Sequence, residues 1–250
     1  MDRATRGIKM NLGIRKAFVL AGGKGERLRP LTLETAKPLV EVAGKPILQW
    51  NLELLRSYGV EEVVLGIGHM GHQVQHFFKD GEDLGIAIAY SVEKDFLGTA
   101  GALKLAEHFL DDEETFIMMN GDEVKDVFFD KVKSVYEKND AQGCISLTRV
   151  KDVSEFGSVK LDGERITAFL EKSQSPQNEQ GLVNCGAYVL SNQVFDLIPK
   201  EQKVSIEKDV FPKLAEQKRL FGIESTGQWF PTDDLPRLEN ARSGWKTTFK

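Results

Sequence analysis

Short apolar runs that stop at glycine alternate, through the first half of the chain, with stretches whose apolar residues recur every three or four positions. The run Lys16-Ala17-Phe18-Val19-Leu20-Ala21 is β-prone and ends at Gly22-Gly23-Lys24-Gly25, as a buried strand does on entering a loop. After Pro46 the positions Ile47, Leu48, Leu52, Leu54 and Leu55 fall at helical spacing and Gly59 follows as a terminator, which predicts a helix of about three turns. The same reading predicts strands at 62–67, 86–91 and 115–120 and helices at 72–78 and 99–109. Strands alternating with helices imply an α/β fold with a mixed, mostly parallel sheet covered on both faces.

From Gly143 the pattern shifts to strand candidates at 143–150, 158–161, 166–171 and 182–191, separated by short polar turns. The stretch 173–181 is polar, contains Pro176 and shows no apolar period, so it reads as an exposed loop. Helices around Val194 and at 207–218 complete the pattern, which contains no internal repeat.

Length and composition narrow the class. A chain of 250 residues can bury one large core, and 41% hydrophobic with 28% charged residues is ordinary for a soluble globular domain. Arg3, Arg6, Lys9, Arg15 and Lys16 make the start locally basic, so 1–14 reads as a solvated extension and 15–250 as the domain. A net charge of -5 gives no reason to expect nucleic acid, and no apolar run approaches membrane-spanning length or a secretory signal. The expected compartment is cytoplasmic. Cys144 and Cys185 sit in apolar runs without metal-ligand spacing and read as buried free thiols.

In a doubly wound sheet ligands bind beyond the carboxyl ends of the strands, where the loop after Leu20 and the turn Asn120-Gly121-Asp122 both fall. The segment LAGGKGERLRPLT combines three glycines, which let backbone amides approach anionic oxygens, with Arg27, a planar charged donor fork. Phosphate binding is one reading and a tight strand-to-helix turn with solvated charges is the other. The loop is not a Walker A string, and Leu28 stands where the dinucleotide fingerprint has its third glycine. Asp122 would project a hard oxygen suited to magnesium, although an aspartate after glycine is more often simply a turn former.

LAGGKGERLRPLT followed by AKPLVEVAGKPIL resembles the signature of the sugar-phosphate nucleotidylyltransferases, the nucleotide-diphospho-sugar transferase family. Six further short motifs stand in the family's order: Leu97-Gly98-Thr99-Ala100-Gly101, Asn120-Gly121-Asp122, Glu155-Phe156-Gly157, Glu171-Lys172, Asn184-Cys185-Gly186 and Ser205-Ile206-Glu207. Glu26 stands where the family more often has threonine. The resemblance implies a Rossmann-like sheet and a nucleotide site formed by Leu20, Ala21, Gly22, Gly23, Gly25, Gly98 and Thr99. It implies that Arg27 and Lys37 hold the triphosphate, that Asp122 is a magnesium ligand, and that Lys172 contacts the sugar phosphate. Asn120, Glu171, Asn184 and Glu207 would then face the sugar, with Gly157 allowing close backbone approach.

A second metal carboxylate commonly lies in a DIGTPEDL-like string of this family. Here the chain reads Gln228-Trp229-Phe230-Pro231-Thr232-Asp233-Asp234-Leu235, and ungapped alignment puts Gln228 at that position. An amide can coordinate magnesium through its carbonyl but stabilises less than a carboxylate; Asp233 or Asp234 could compensate. The implied reaction is in-line attack by a sugar 1-phosphate oxygen on the α-phosphorus of an NTP, with release of pyrophosphate and no covalent enzyme intermediate. His69, His72 and His76 have helix-compatible spacing but no accompanying carboxylate or cysteine pattern, and read as a helix face.

The resemblance places Glu93 at the base edge. A carboxylate accepts two hydrogen bonds and donates none, matching guanine's adjacent N1–H and N2–H, whereas uracil or thymine suits a glutamine. LGTAGALK is similar to the mannose-1-phosphate guanylyltransferase branch. The expected substrates are GTP and mannose 1-phosphate or a manno-heptose 1-phosphate, with magnesium as cofactor and homo-oligomerisation left open. Two alternatives stand beside this: a uridylyl or thymidylyl transferase acting on glucose 1-phosphate, and a weakly catalytic nucleotide-sugar-binding regulatory protein, motivated by Gln228.

Overall fold

The computed structural model describes residues 10–170 and 175–246. β1 (Lys16–Leu20) leads through a glycine loop and three 3-10 turns to a small hairpin of β2 (Glu41–Val42) and β3 (Lys45–Pro46). α1 (Ile47–Ser57) follows, burying Ile47, Leu48, Leu52, Leu54 and Leu55 as their spacing requires. β4 (Glu62–Ile67), α2 (Gly71–Phe78), β5 (Ala87–Val92), α3 (Gly98–Leu105) and β6 (Thr115–Asn120) continue the alternation. The helix expected over 99–109 is shorter, because the chain tightens at Ala106 (φ -87°, ψ 0°) into a 3-10 turn at Glu107–Phe109.

The second half contains β7 (Glu123–Lys125), α4 (Phe129–Lys138), β8 (Gly143–Val150), β9 (Ser158–Asp162), β10 (Arg165–Leu170) and β11 (Gly181–Ser191). It ends in α5 (Phe211–Glu216), β12 (Leu220–Glu224), β13 (Trp229–Pro231) and α6 (Leu235–Gly244). The helix expected over 207–218 is divided between a π-type turn, Ile206–Val210, and α5. Pro212 lies in the first turn of α5, where its missing N–H is tolerated.

Among the described residues nine strands form one sheet in the order β5-β4-β1-β6-β11-β8-β12-β10-β9. The neighbours β5, β4, β1 and β6 are parallel, as the alternation predicts. Beyond β6 the pairing is antiparallel except between β8 and β12, so the sheet is mixed rather than mostly parallel throughout. Alternate residues supply opposite faces: Phe18, Val64 and Met118 pack into one core, while Val19, Val63, Leu65, Ile117 and Met119 pack into the other. Burial on both faces explains why these strands read as continuous apolar runs.

The segment before β1 is not simply a solvated extension. Leu12 and Ile14 are buried, and the Met10 and Leu12 amides donate to the Ser57 and Tyr58 carbonyls at 3.1 Å. Arg3, Arg6 and Lys9 lie outside the described residues. Both cysteines are buried and free, and burial pushes the Cys185 thiol up to about 11. Among the described residues no helix is long and apolar enough to cross a membrane.

Candidate active site

The carboxyl ends of β1 and β6 are tied together. The Gly121 amide donates to the Leu20 carbonyl at 2.8 Å, and a Cβ on Gly121 would come 2.7 Å from that oxygen. Glycine is therefore what allows the two loops to meet. Gly25 has φ +62°, and a Cβ there would crowd Lys37 and Thr32 at 3.0 Å. The loop is held in that turn by the Thr32 hydroxyl, which donates to the Gly25 carbonyl at 2.7 Å.

Lys37 sits in a 3-10 turn with its side chain only 7% exposed, and its Nζ reaches Asp122 Oδ2 at 2.6 Å. The Asp122 side chain is 44% exposed toward the cleft. Partial burial raises its pKa, but the Lys37 ammonium, with help from Lys125, more than offsets this and holds the carboxyl below its ordinary range. Glu93 responds in the opposite sense. Burial raises its carboxyl, and the Leu97 N–H, donating to Oε2 at 2.9 Å, offsets only part of that. Gly22 leaves the space beside Glu93: a Cβ there would lie 3.1 Å from Oε1.

These residues line an open cleft of about 850 Å³ that holds Gly22, Gly23, Gly25, Arg27, Lys37, Glu93 and Asp122. A contiguous recess of about 170 Å³ adds Leu20, Ala21, Gly98, Thr99 and Asn120. All the residues expected at the nucleotide thus converge on one cavity, joined by Asn120 from the expected sugar set. Glu207 is linked to it through Thr99, whose hydroxyl donates to Oε2 at 3.0 Å. Asn184 and Gly157 stand outside the lining. The Asn184 amide is engaged at both ends, its Nδ2 donating to Tyr188 Oη and its Oδ1 accepting from the Gly186 amide, each at 2.8 Å. Gly157 has φ +84°, a conformation in which any other residue would be strained. Glu171 and Lys172 lie outside the described residues.

Gln228 does not line the cleft with Asp122. Its Nε2 donates to the Lys246 carbonyl at 2.7 Å and its Oε1 accepts the Lys246 amide at 3.1 Å. The reason is register: β13 pairs Trp229 with Lys125 and Pro231 with Glu123, so Gln228 sits at the Asp126 end, away from Asp122. The acid that does reach the cleft is Asp233. Its Oδ2 meets Arg27 Nη1 at 2.6 Å, and Arg237 Nη1 donates to both its oxygens at 2.8 and 3.0 Å. Burial raises the Asp233 pKa, but Arg237 and Arg27 outweigh it and keep the carboxyl depressed. Sequence reasoning also missed His69 and Phe96, both of which line the cleft. His69 precedes α2 instead of riding on its face; Phe96, 65% exposed in a polar run, carried a signal only as an apolar residue with nothing nearby to bury it.

In the parallel half of the sheet the glycine loop, the buried Lys37 and the strand-end Asp122 meet at the switch between β1 and β6, an arrangement suited to holding phosphate oxygens. The chain belongs to the nucleotidyl transferase family, whose model matches residues 16–243. It is 39% identical over 218 residues to the mannose-1-phosphate guanylyltransferase catalytic subunit beta of Danio rerio, covering 86% of this chain and 60% of that one. It is 37% identical over 219 residues to the mannose-1-phosphate guanyltransferase of Candida albicans, with the same coverage. The chain therefore spans about 60% of the length of these curated relatives. Among solved structures, HddC from Yersinia pseudotuberculosis superposes with a TM-score of 0.79 at 25% identity, covering 93% of this chain and all of that one. A putative glucose-1-phosphate thymidylyltransferase from Bacillus anthracis shares the fold, with a TM-score of 0.79 at 24% identity over 92% of this chain and 94% of that one.

Proposed function

We propose that this chain, as one domain over 15–250 onto which 10–14 packs, transfers a guanylyl unit from GTP to mannose 1-phosphate or a manno-heptose 1-phosphate and releases pyrophosphate. The observation that carries this reading is the Lys37–Asp122 pair at 2.6 Å, set beside the glycine loop in the cavity that Glu93 also lines. The relatives' names support the choice of GTP and mannose 1-phosphate.

Magnesium fits this site. Asp122 offers a half-exposed, ionised hard oxygen, and magnesium commonly takes only one or two protein carboxylates and fills its shell with phosphates and water. Asp122 would hold it, with Asp233 as a second carboxylate lining the same cleft; Gln228, which does not line it, would not. When bound, the ion offsets phosphate charge and orients the α-phosphorus. Arg27 and Lys37 bind the triphosphate oxygens, so Arg27 exchanges Asp233 for phosphate when the nucleotide enters. Glu93 accepts from guanine N1–H and N2–H. Asn120 and Glu207 orient the sugar so that its phosphate oxygen lies in line with the bond to pyrophosphate. Glu171, Lys172, Asn184 and Gly157 belong to the same proposed sugar side.

The experiment follows pyrophosphate release with GTP, UTP, dTTP and ATP against mannose, manno-heptose and glucose 1-phosphates. GTP with a manno-configured phosphate should give the highest kcat/KM. Preference for UTP or dTTP with glucose 1-phosphate would replace this reading, and tight GTP binding without turnover would leave a regulatory binding protein.

A further inference from the structure

Behind the cleft lies a charged pair to which the proposed chemistry assigns no contact with either substrate. Lys125, on β7, is 1% exposed, and its Nζ donates to Glu123 Oε1 at 2.6 Å. It also donates to three backbone carbonyls: Cys185 at 2.8 Å, Gly186 at 2.9 Å and Asn120 at 3.2 Å. The first two fall where the β8–β11 ladder is interrupted between Asn184 and Tyr188, so a side chain supplies donors that the neighbouring strand does not. Glu123 carries the link outward, its Oε2 accepting from the Trp229 indole at 2.8 Å. Gly186 packs directly against this group: a Cβ there would lie 2.5 Å from Asn120 Nδ2 and 2.6 Å from Glu123 Oε1.

Stability alone is a poor account of such a pair. Taking an ammonium and a carboxylate out of water is costly, and apolar replacements of similar volume are commonly no less stable. What apolar side chains cannot do is hold three carbonyls from two distant turns at fixed distances.

We propose that Lys125 is a positioning residue. It clamps the turn carrying Asn120 and Asp122 to the turn of Asn184-Cys185-Gly186, and through Glu123 and Trp229 it fixes β13, which leads to Asp233. Its relevance to turnover rests on the function proposed above; the clamp itself does not.

The main test is the double variant Glu123→Gln/Lys125→Met, which removes the clamp without leaving an unpaired buried charge. Amide hydrogen exchange should quicken at 120–122 and at 184–186 and stay unchanged at β1 and β4. With GTP and mannose 1-phosphate, kcat should fall about 10- to 100-fold, the scale of a small misplacement at a reacting centre, while the Kd for GTP stays within about twofold. The milder Trp229→Phe removes only the indole donor and should quicken exchange at the same two turns by a smaller factor, which keeps the test available if the double variant does not fold. Unchanged exchange at both turns in whichever variant folds overturns the clamp, whatever the activity does. A wild-type chain that turns over no sugar 1-phosphate overturns the proposed function, and the clamp is then decided by exchange alone.

Discussion

The two halves of the cleft are built from different materials. On the nucleotide side much of the wall is one short, largely backbone stretch from Leu20 to Gly25, where a Cβ would be crowded at 3.1 Å on Gly22 and at 3.0 Å on Gly25. On the sugar side they are scattered, and side-chain chemistry holds them: Thr99 and Ser205 converge on Glu207, Tyr188 on Asn184, and Lys125 on carbonyls up to 61 residues away. A backbone-built site announces itself in a short string. A site built from long-range side-chain bonds does not.

That contrast can be broken first at Asp122, where the two halves meet. Asp122→Asn should lower pyrophosphate release by on the order of 10²- to 10³-fold at saturating magnesium, since a charge-stabilising group is lost while an isosteric amide remains. Unchanged turnover would remove Asp122 from the metal site. Arg27→Ala should weaken NTP binding by about 10- to 100-fold, the loss of a charge-assisted hydrogen bond, with Arg27→Lys recovering part of it. Wild-type affinity in the alanine variant would make the glycine loop merely structural.

The comparison is sharpened at the base. Glu93→Gln should shift the GTP-to-UTP ratio of kcat/KM by about five- to 100-fold toward UTP, because a donor would then oppose a guanine donor. An unchanged ratio would show that Glu93 does not read the base.

The smallest effect concerns Asp233 and acid. Its folded pKa is depressed below the ordinary 3.8, so the stability it contributes is present above that value and is lost as pH falls through the folded pKa. Asp233→Asn should therefore lower stability slightly at neutral pH, by about 1 kcal/mol or less, read as a small drop in thermal midpoint, and the difference should close in acid below 3.8. A difference that widens in acid would contradict the Arg27 and Arg237 pairing.

How much was legible follows from the same physics. The strands at 62–67, 115–120 and 143–150 were readable because each is an apolar run bounded by polar or glycine residues. α4 was not: its buried Phe129, Val132 and Val135 are separated by Asp130, Lys131 and Lys133, and the helix has a negative overall hydropathy. β13, three residues long, has no period to read, and its register depends in part on the Trp229 indole meeting a carboxylate 106 positions away. That is why ungapped reasoning put Gln228 in the wrong place. Lys125, in the string Glu-Val-Lys-Asp, looks like any solvated lysine until the fold surrounds it with carbonyls.

The Arg27–Asp233 contact has a consequence for how a nucleotide arrives. Of the charged residues lining the main cleft, Lys24, Arg27, Lys37 and Lys94 face Glu26, Glu93, Asp95, Asp122 and Asp233, so an anion site carries one net negative charge. Its cations are largely matched by local anions and project little field into solvent. A polyphosphate is then not drawn in from beyond a Debye length of about 8 Å; recognition begins at contact, with the nucleotide's charge offset by its own counter-ions. The rate of nucleotide capture should accordingly change little between low and physiological salt, unlike that of a cleft lined by unmatched arginines.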